Sequence, residues 1–185
     1  QLLDELSEKV GGPRLLSHCD ARTGWPTRGV YFFFEPGELR RNGSHRVVRV
    51  GTHALTTRST TSLWTRLAQH RGTRGGTSPG GGNHRASVFR RHVGAALLRR
   101  DPELATDPAT ASWGQGSSAP SSVVALEANH ERRVSDYIGA MPMLWVPVED
   151  PPGPGSDRAI IERGCIALLS TATNPAADPP SPSWL

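Results

Sequence analysis

Lysine is almost missing from this 185-residue chain: Lys9 is the only one, so its positive charge rests on arginine. Cysteine is scarce too, with Cys19 and Cys165 alone. Two lone cysteines make no disulfide framework and cannot fill a four-ligand zinc site. They fit a reducing, cytoplasmic compartment. No apolar run approaches the roughly 18 residues a spanning helix needs, so no membrane partner is expected. No basic-then-apolar leader opens the chain, and no secretory signal is expected. Aromatics make up 6% of the residues, yet Tyr31, Phe32, Phe33 and Phe34 stand in one row. That run reads as a buried strand, and Tyr31 is its only member with a hydroxyl.

A further absence is regional. From Leu39 to Arg100 there are thirteen arginines and no Asp or Glu. The rest of the chain carries eight Lys and Arg against seventeen acids. Like charges repel when nothing compensates them, so a block of one sign points to a polyanion-binding surface. Arginine suits phosphate because its planar fork donates two hydrogen bonds at once. A basic, flexible insertion is the plainer alternative.

Leu2–Val10 reads as a short amphipathic helix. Residues 28–35 and 45–51 read as strands of an antiparallel hairpin, with Asn42 and Gly43 in the turn. Residues 61–71 form a helix with Leu63, Trp64, Leu67 and Ala68 on one face. Arg66 and His70 lie four apart and share another stripe. A glycine-rich loop over 72–83 leads to a helix over 85–100, with Val88, Phe89, Val93 and Leu97 inward. The stretch 122–140 mixes a strand-like start with a helix. Residues 143–148 form a third strand, which Pro147 ends or marks as an edge. Asp157 is placed to cap a helix over 158–170, and the tail is proline-rich. The expected fold is α+β: a small three-stranded, mostly antiparallel sheet flanked by helices.

The order of motifs narrows the function. Gly29-Val30-Tyr31 lies on the first strand and Arg49-Val50-Gly51 ends the second. Arg66 and His70 follow in "LWTRLAQH", then Glu162 in "AIIERGCIALLS", then Asn174. This pattern resembles the GIY-YIG nuclease superfamily, in its restriction-enzyme branch. The core of the resemblance covers about 28–71 and 142–175 within a domain over 28–175. Residues 1–27 are a lead-in, 72–141 a basic helical insertion and 176–185 a tail. One departure stands out: the second signature tyrosine of the family is Arg49 here.

The resemblance implies a metal-dependent endonuclease acting on double-stranded DNA, in restriction or defence, as a homodimer on the DNA. It implies one Mg²⁺ or Mn²⁺ held by Glu162, since a hard cation takes a carboxylate. Tyr31 would take a proton from the attacking water or position it. Arg66 would clamp the phosphate, Arg49 would bind it or polarise the Tyr31 hydroxyl, His70 would shuttle a proton or hydrogen-bond the phosphate, and Asn174 would hold the geometry. Arg71, Arg74, His84, Arg85, Arg90 and Arg91 are expected to contact DNA, mainly at phosphates. Each has a bland alternative: an exposed helix glutamate, a core tyrosine, a structural histidine, a turn asparagine or a solvated basic face. At the level of the whole chain, the alternatives are a DNA-binding module with a degenerate site or a structure-specific repair nickase.

Overall fold

The computed structural model describes residues 2–72, 81–170 and 178–181. In chain order the elements are α1 (Leu2–Val10), β1 (Arg14–Leu15), β2 (Gly29–Leu39), β3 (His45–Gly51), α2 (Leu63–Arg71), α3 (Val88–Arg100), α4 (Ser121–Gly139), β4 (Pro142–Pro147) and α5 (Asp157–Leu169). They fall into two compact units. One is built from the chain up to Arg66 and from Met141 onward, the other from Leu67 to Ala140.

The first unit is organised by the aromatic run. Its sheet has the order β1-β4-β2-β3, and every pairing is antiparallel. The three expected strands are present, with β2 running on through Pro36 to Leu39. The fourth strand, β1, is two residues long, too short to leave a hydropathy pattern. It covers β4, so β4 is internal, and Pro147 is simply its last residue. Strand side chains alternate between faces. Val30, Phe32 and Phe34 therefore join Val47, Val50 and Leu144 in one buried cluster, against Leu3, Leu6 and Val10 of α1 and Ile161, Cys165 and Leu169 of α5. Each large apolar side chain buried there contributes roughly 1.5–3 kcal/mol before chain entropy is subtracted.

Gly29, Tyr31 and Phe33 look the other way, and two glycines set how close their neighbours come. A Cβ at Gly29 would stand 2.6 Å from the Val146 carbonyl oxygen and 3.3 Å from Leu63 Cδ2. The first turn of α2 thus packs on this face, tied by Leu63 N donating to Thr27 O at 2.9 Å. A Cβ at Gly51 would stand 2.3 Å from the Tyr31 hydroxyl oxygen. The α5 helix is capped by Ser156, whose Oγ accepts from Ala159 N at 3.3 Å. Asp157, expected as the cap, is instead the first helical residue. At the far end of the β2–β3 hairpin, Arg46 reaches Glu38 at 3.5 Å and donates to Asp178 O at 2.8 Å.

The second unit is built around buried charge. Residues 127, 130, 131, 134 and 138 form the inward stripe of α4. That stripe begins with Glu127, His130 and Glu131 and turns apolar only at Val134 and Ile138. The helix runs from Ser121 without the expected strand-like start. Arg90 is fully buried and holds Glu131 with two nitrogens, Nε at 3.1 Å and Nη2. His84 donates its backbone N–H to the same carboxylate at 2.6 Å and meets it through Nδ1 at 2.9 Å. Arg85 forms a two-point pair with Glu127. Trp113 stacks on His84 at 3.9 Å and meets the edge of His130 at 4.4 Å. On α3, Phe89, Arg90, Val93 and Gly94 are buried, whereas Val88, expected inward, is 47% exposed.

Two outcomes follow from this packing. Gly51→Ala is expected to lose about 1–3 kcal/mol in chemical denaturation, because the ring above it must move. The other concerns acid. Burial pushes the Glu131 carboxyl up, but the hydrogen bonds from His84 and the Arg90 charge outweigh it and hold the group below its ordinary 4.5. A carboxyl depressed by folding adds stability that is present above its unfolded value and lost as pH falls through its folded value. Stability is therefore expected to fall below about pH 4.5. Glu131→Gln should flatten that acid limb while costing on the order of 3 kcal/mol at pH 7. Urea melts across pH would show both.

Candidate active site

The Tyr31 side chain is fully buried, with its ring edge against Phe33 at 5.8 Å between centroids. Its hydroxyl is hydrogen-bonded to Arg49 and Arg66. Arg49 pairs with Phe33 across β2 and β3, so it shares the Tyr31 face. Arg66 is delivered by the first turns of α2. Both arginines are half-buried, whereas the phenol between them is fully buried. Burial pushes the Tyr31 hydroxyl above its ordinary 10.0, and the two cations beside it only partly offset this. At neutral pH the phenol is protonated, and guanidinium N–H groups donate to its oxygen. In this state the hydroxyl holds the two arginines together.

Glu162 reaches the end of β3 from α5. Its Oε1 accepts from Thr52 N at 3.2 Å, and Thr52 Oγ1 donates to Gly29 O at 2.8 Å. Thr52 follows Gly51, the residue beneath the Tyr31 ring. The carboxylate is therefore oriented next to the two signature strands. Among the described residues, no three His, Cys, Asp or Glu side chains converge as a metal cage. A single fixed carboxylate suits Mg²⁺, which keeps several waters and takes one or two carboxylates plus substrate phosphate.

The other expected site residues belong to the second unit or fall outside the described residues. His70 is fully buried, with Nδ1 2.8 Å from Ser87 Oγ and its ring edge-on to Phe89 at 5.4 Å. Its carbonyl accepts from Arg90 Nη1 at 2.8 Å. His70 is thus packed within the second unit. His84, Arg85 and Arg90, expected at the DNA, are instead committed to Glu131 and Glu127, because α4 supplies the acids that the arginine-rich stretch lacks. Arg71 and Arg91 are half-buried, and the Arg91 carbonyl accepts from Trp113 Nε1 at 2.9 Å. Arg74 and Asn174 lie outside the described residues.

His53 was not singled out by its sequence context. It follows Thr52, is 5% exposed, and its Nδ1 lies 2.8 Å from the Thr61 carbonyl oxygen. Burial lowers its pKa below 6.5, and the charges of Arg158, Arg28 and Arg66 push it the same way. The bond to Thr61 opposes this without reversing it. The signal available in the sequence was position alone: a histidine two residues past the second signature glycine.

The strands that carry Gly29-Val30-Tyr31 and Arg49-Val50-Gly51 are neighbours, and Glu162 is bonded to the residue after the second. Comparison with known families agrees with that arrangement: the GIY-YIG domain matches over residues 1–185. Neither the curated proteins nor the solved structures contain a match. The chain belongs to the GIY-YIG family, whose domain is a nuclease domain.

Proposed function

We propose that this protein is a divalent-metal-dependent endonuclease that hydrolyses phosphodiester bonds in duplex DNA, in a restriction or defence role. One observation carries this reading: Arg49 and Arg66 meet at the Tyr31 hydroxyl beside the strand end that orients Glu162. Two permanent cations held side by side on a neutral phenol attract an anion. A phosphodiester supplies that anion, and the planar guanidinium forks match its two free oxygens. As charge builds on the phosphoryl oxygens, preorganised donors stabilise the transition state more than the ground state. Tyr31 is a positioning residue here, fixing both forks before substrate arrives. Glu162 would hold Mg²⁺ or Mn²⁺, and the cation, when bound, supplies a Lewis acid for the phosphoryl group.

Plasmid incubated with the protein and magnesium or manganese tests the reading, using both modified and unmodified DNA. Linear product supports a site-specific duplex nuclease. Nicked product favours a repair role, and retarded but intact DNA favours a binding module. Glu162→Ala is expected to abolish cutting while gel retardation of DNA persists. Undiminished cutting by that variant would remove Glu162 from the site. Tyr31→Phe keeps the ring but removes the oxygen that accepts from both arginines. A hydrogen bond to a charged group is worth about 1.5–3 kcal/mol, so cleavage should slow by roughly 10- to 100-fold. Full-speed cutting by Tyr31→Phe would leave the aromatic run as strand and core only.

A further inference from the structure

The sheet face that carries Tyr31 also carries an aromatic cluster that the phosphate chemistry does not use. Trp145 pairs with Tyr31 across β4 and β2, so the two side chains stand beside each other on one face. The Trp145 ring meets Trp25 at 4.8 Å. Trp25 in turn stacks on Trp64 of α2, with ring centroids 5.4 Å apart and 17° between the planes. The Arg14 guanidinium lies over Trp145, 5.3 Å from its ring centroid. Three indoles and a cation thus form a group that begins one strand away from the phenol. Trp145 is buried, but Trp25 and Trp64 are only half-buried.

The loop that presents Trp25 adds nothing to the buried core, since none of residues 20–28 is buried. It is nevertheless fixed bond by bond. Asp20 Oδ1 accepts from Arg22 N at 2.7 Å and from Thr23 Oγ1 at 3.4 Å, and Asp20 N donates to Thr23 Oγ1 at 2.9 Å. Trp25 Nε1 donates to Asp20 O at 2.7 Å. Thr27 O accepts from Leu63 N, which ties the loop to the first turn of α2. A ring held this way has lost its rotamer freedom before a partner arrives, so a partner meets it at low entropic cost. Between Arg14 and Arg28 the only acid is Asp20, and its carboxylate is engaged in the turn, whereas Arg14, Arg22 and Arg28 supply positive charge. An aromatic surface among cations suits a nucleic-acid strand, with bases for the rings and phosphates for the arginines.

We propose that Trp25 and Trp64 form a stacking platform for an unpaired nucleobase of the DNA strand whose phosphate lies at Arg49 and Arg66, an inference that rests on the nuclease reading above. An indole stacks only on the face of a base, and inside a duplex both faces are covered by neighbouring pairs. The base must therefore be out of the stack: at a bulge, a mismatch or a strand end, or flipped from its pair. Flipping costs unpairing energy that an already unpaired base does not. The platform thus favours DNA that is distorted close to the bond to be cut. Stacking reads no hydrogen-bonding edge, so any base serves. Continuity sets the place: Trp145 touches Trp25 on one side and neighbours Tyr31 on the other, as a base neighbours the phosphates of its own strand.

The test is binding by the full chain, without metal, to short DNA duplexes that differ at one position. One is fully paired, one carries an unpaired 2-aminopurine, and one carries an abasic residue in its place. Wild type is expected to bind the duplex with the unpaired base roughly 10- to 100-fold tighter than the other two, and to quench the 2-aminopurine emission. Trp25→Leu and Trp64→Leu should each lose that preference while binding the fully paired duplex within about threefold of wild type, because the phosphate contacts remain. A role in packing alone would weaken all the duplexes together. Trp25→Phe and Trp64→Phe keep a ring and should keep part of the preference, and they decide the matter if a leucine variant does not fold. Equal wild-type affinity for the duplexes, unchanged 2-aminopurine emission on binding, or full preference in the folded leucine variants would overturn the platform. If magnesium or manganese gives cutting but no duplex is preferred, this inference alone fails. If the unpaired base is preferred and no DNA is cut, the nuclease reading fails and the platform stands as a binding site. If wild type binds no DNA, both fail.

Discussion

The Tyr31 ring occupies the space that a Cβ at position 51 would need. That contact fixes the register of β2 against β3, with Tyr31 opposite Gly51 and Phe33 opposite Arg49. A slip of one residue would turn Tyr31 and Arg49 to the α1 and α5 side and bring Phe32 to the site. The hydroxyl reaches Arg49 and Arg66 only because the ring lies flat across a residue without a side chain. Thr52, next along, then meets Glu162. Two strands, α2 and α5 are thus referred to one close approach. The aromatic run serves both faces: Phe32 and Phe34 build the core under α1 and α5, and Tyr31 organises charge on the other side.

Charge is handled differently in the two units. In the second, Arg85 and Arg90 are neutralised by Glu127 and Glu131 from α4. These pairs are internal, and their arginines are not available to phosphate. The acid-free stretch of sequence is therefore not one basic surface. Part of it is core, made electrically tolerable by acids that lie more than thirty residues further on. In the first unit, Arg49 and Arg66 converge on a neutral phenol. A count of arginines does not reveal which of them meet a phenol and which a carboxylate.

The strands were legible because their signal is strong and local. An aromatic run bounded by glycine, and a short apolar strand ending in glycine, have few other uses. The helix that carries Glu162 was legible too, from its apolar pattern and the cap region before it. What stayed hidden depends on partners far along the chain. The two residues of β1 carry no period. The inward stripe of α4 starts with glutamates and a histidine, so it reads as a wet surface until arginines are placed against it. His70 has the helical spacing that puts it on the Arg66 stripe, but Ser87 and Phe89 decide where its ring is packed. His53 sits in a loop with no periodicity. Its partner is a carbonyl eight residues on, which residue types do not reveal.

Arg49, where the family pattern has a tyrosine, fits this division of labour. Two cations beside a phenol would normally favour its ionisation, yet Tyr31 remains above its ordinary value because it is fully buried. The two arginines thus sit beside a neutral anchor. A second tyrosine at position 49 would add another neutral hydroxyl and remove one permanent charge. Under the nuclease reading, an arginine there strengthens the hold on a phosphoryl group. The substitution and the buried phenol are two parts of one arrangement, a neutral anchor with two permanent cations bonded to it.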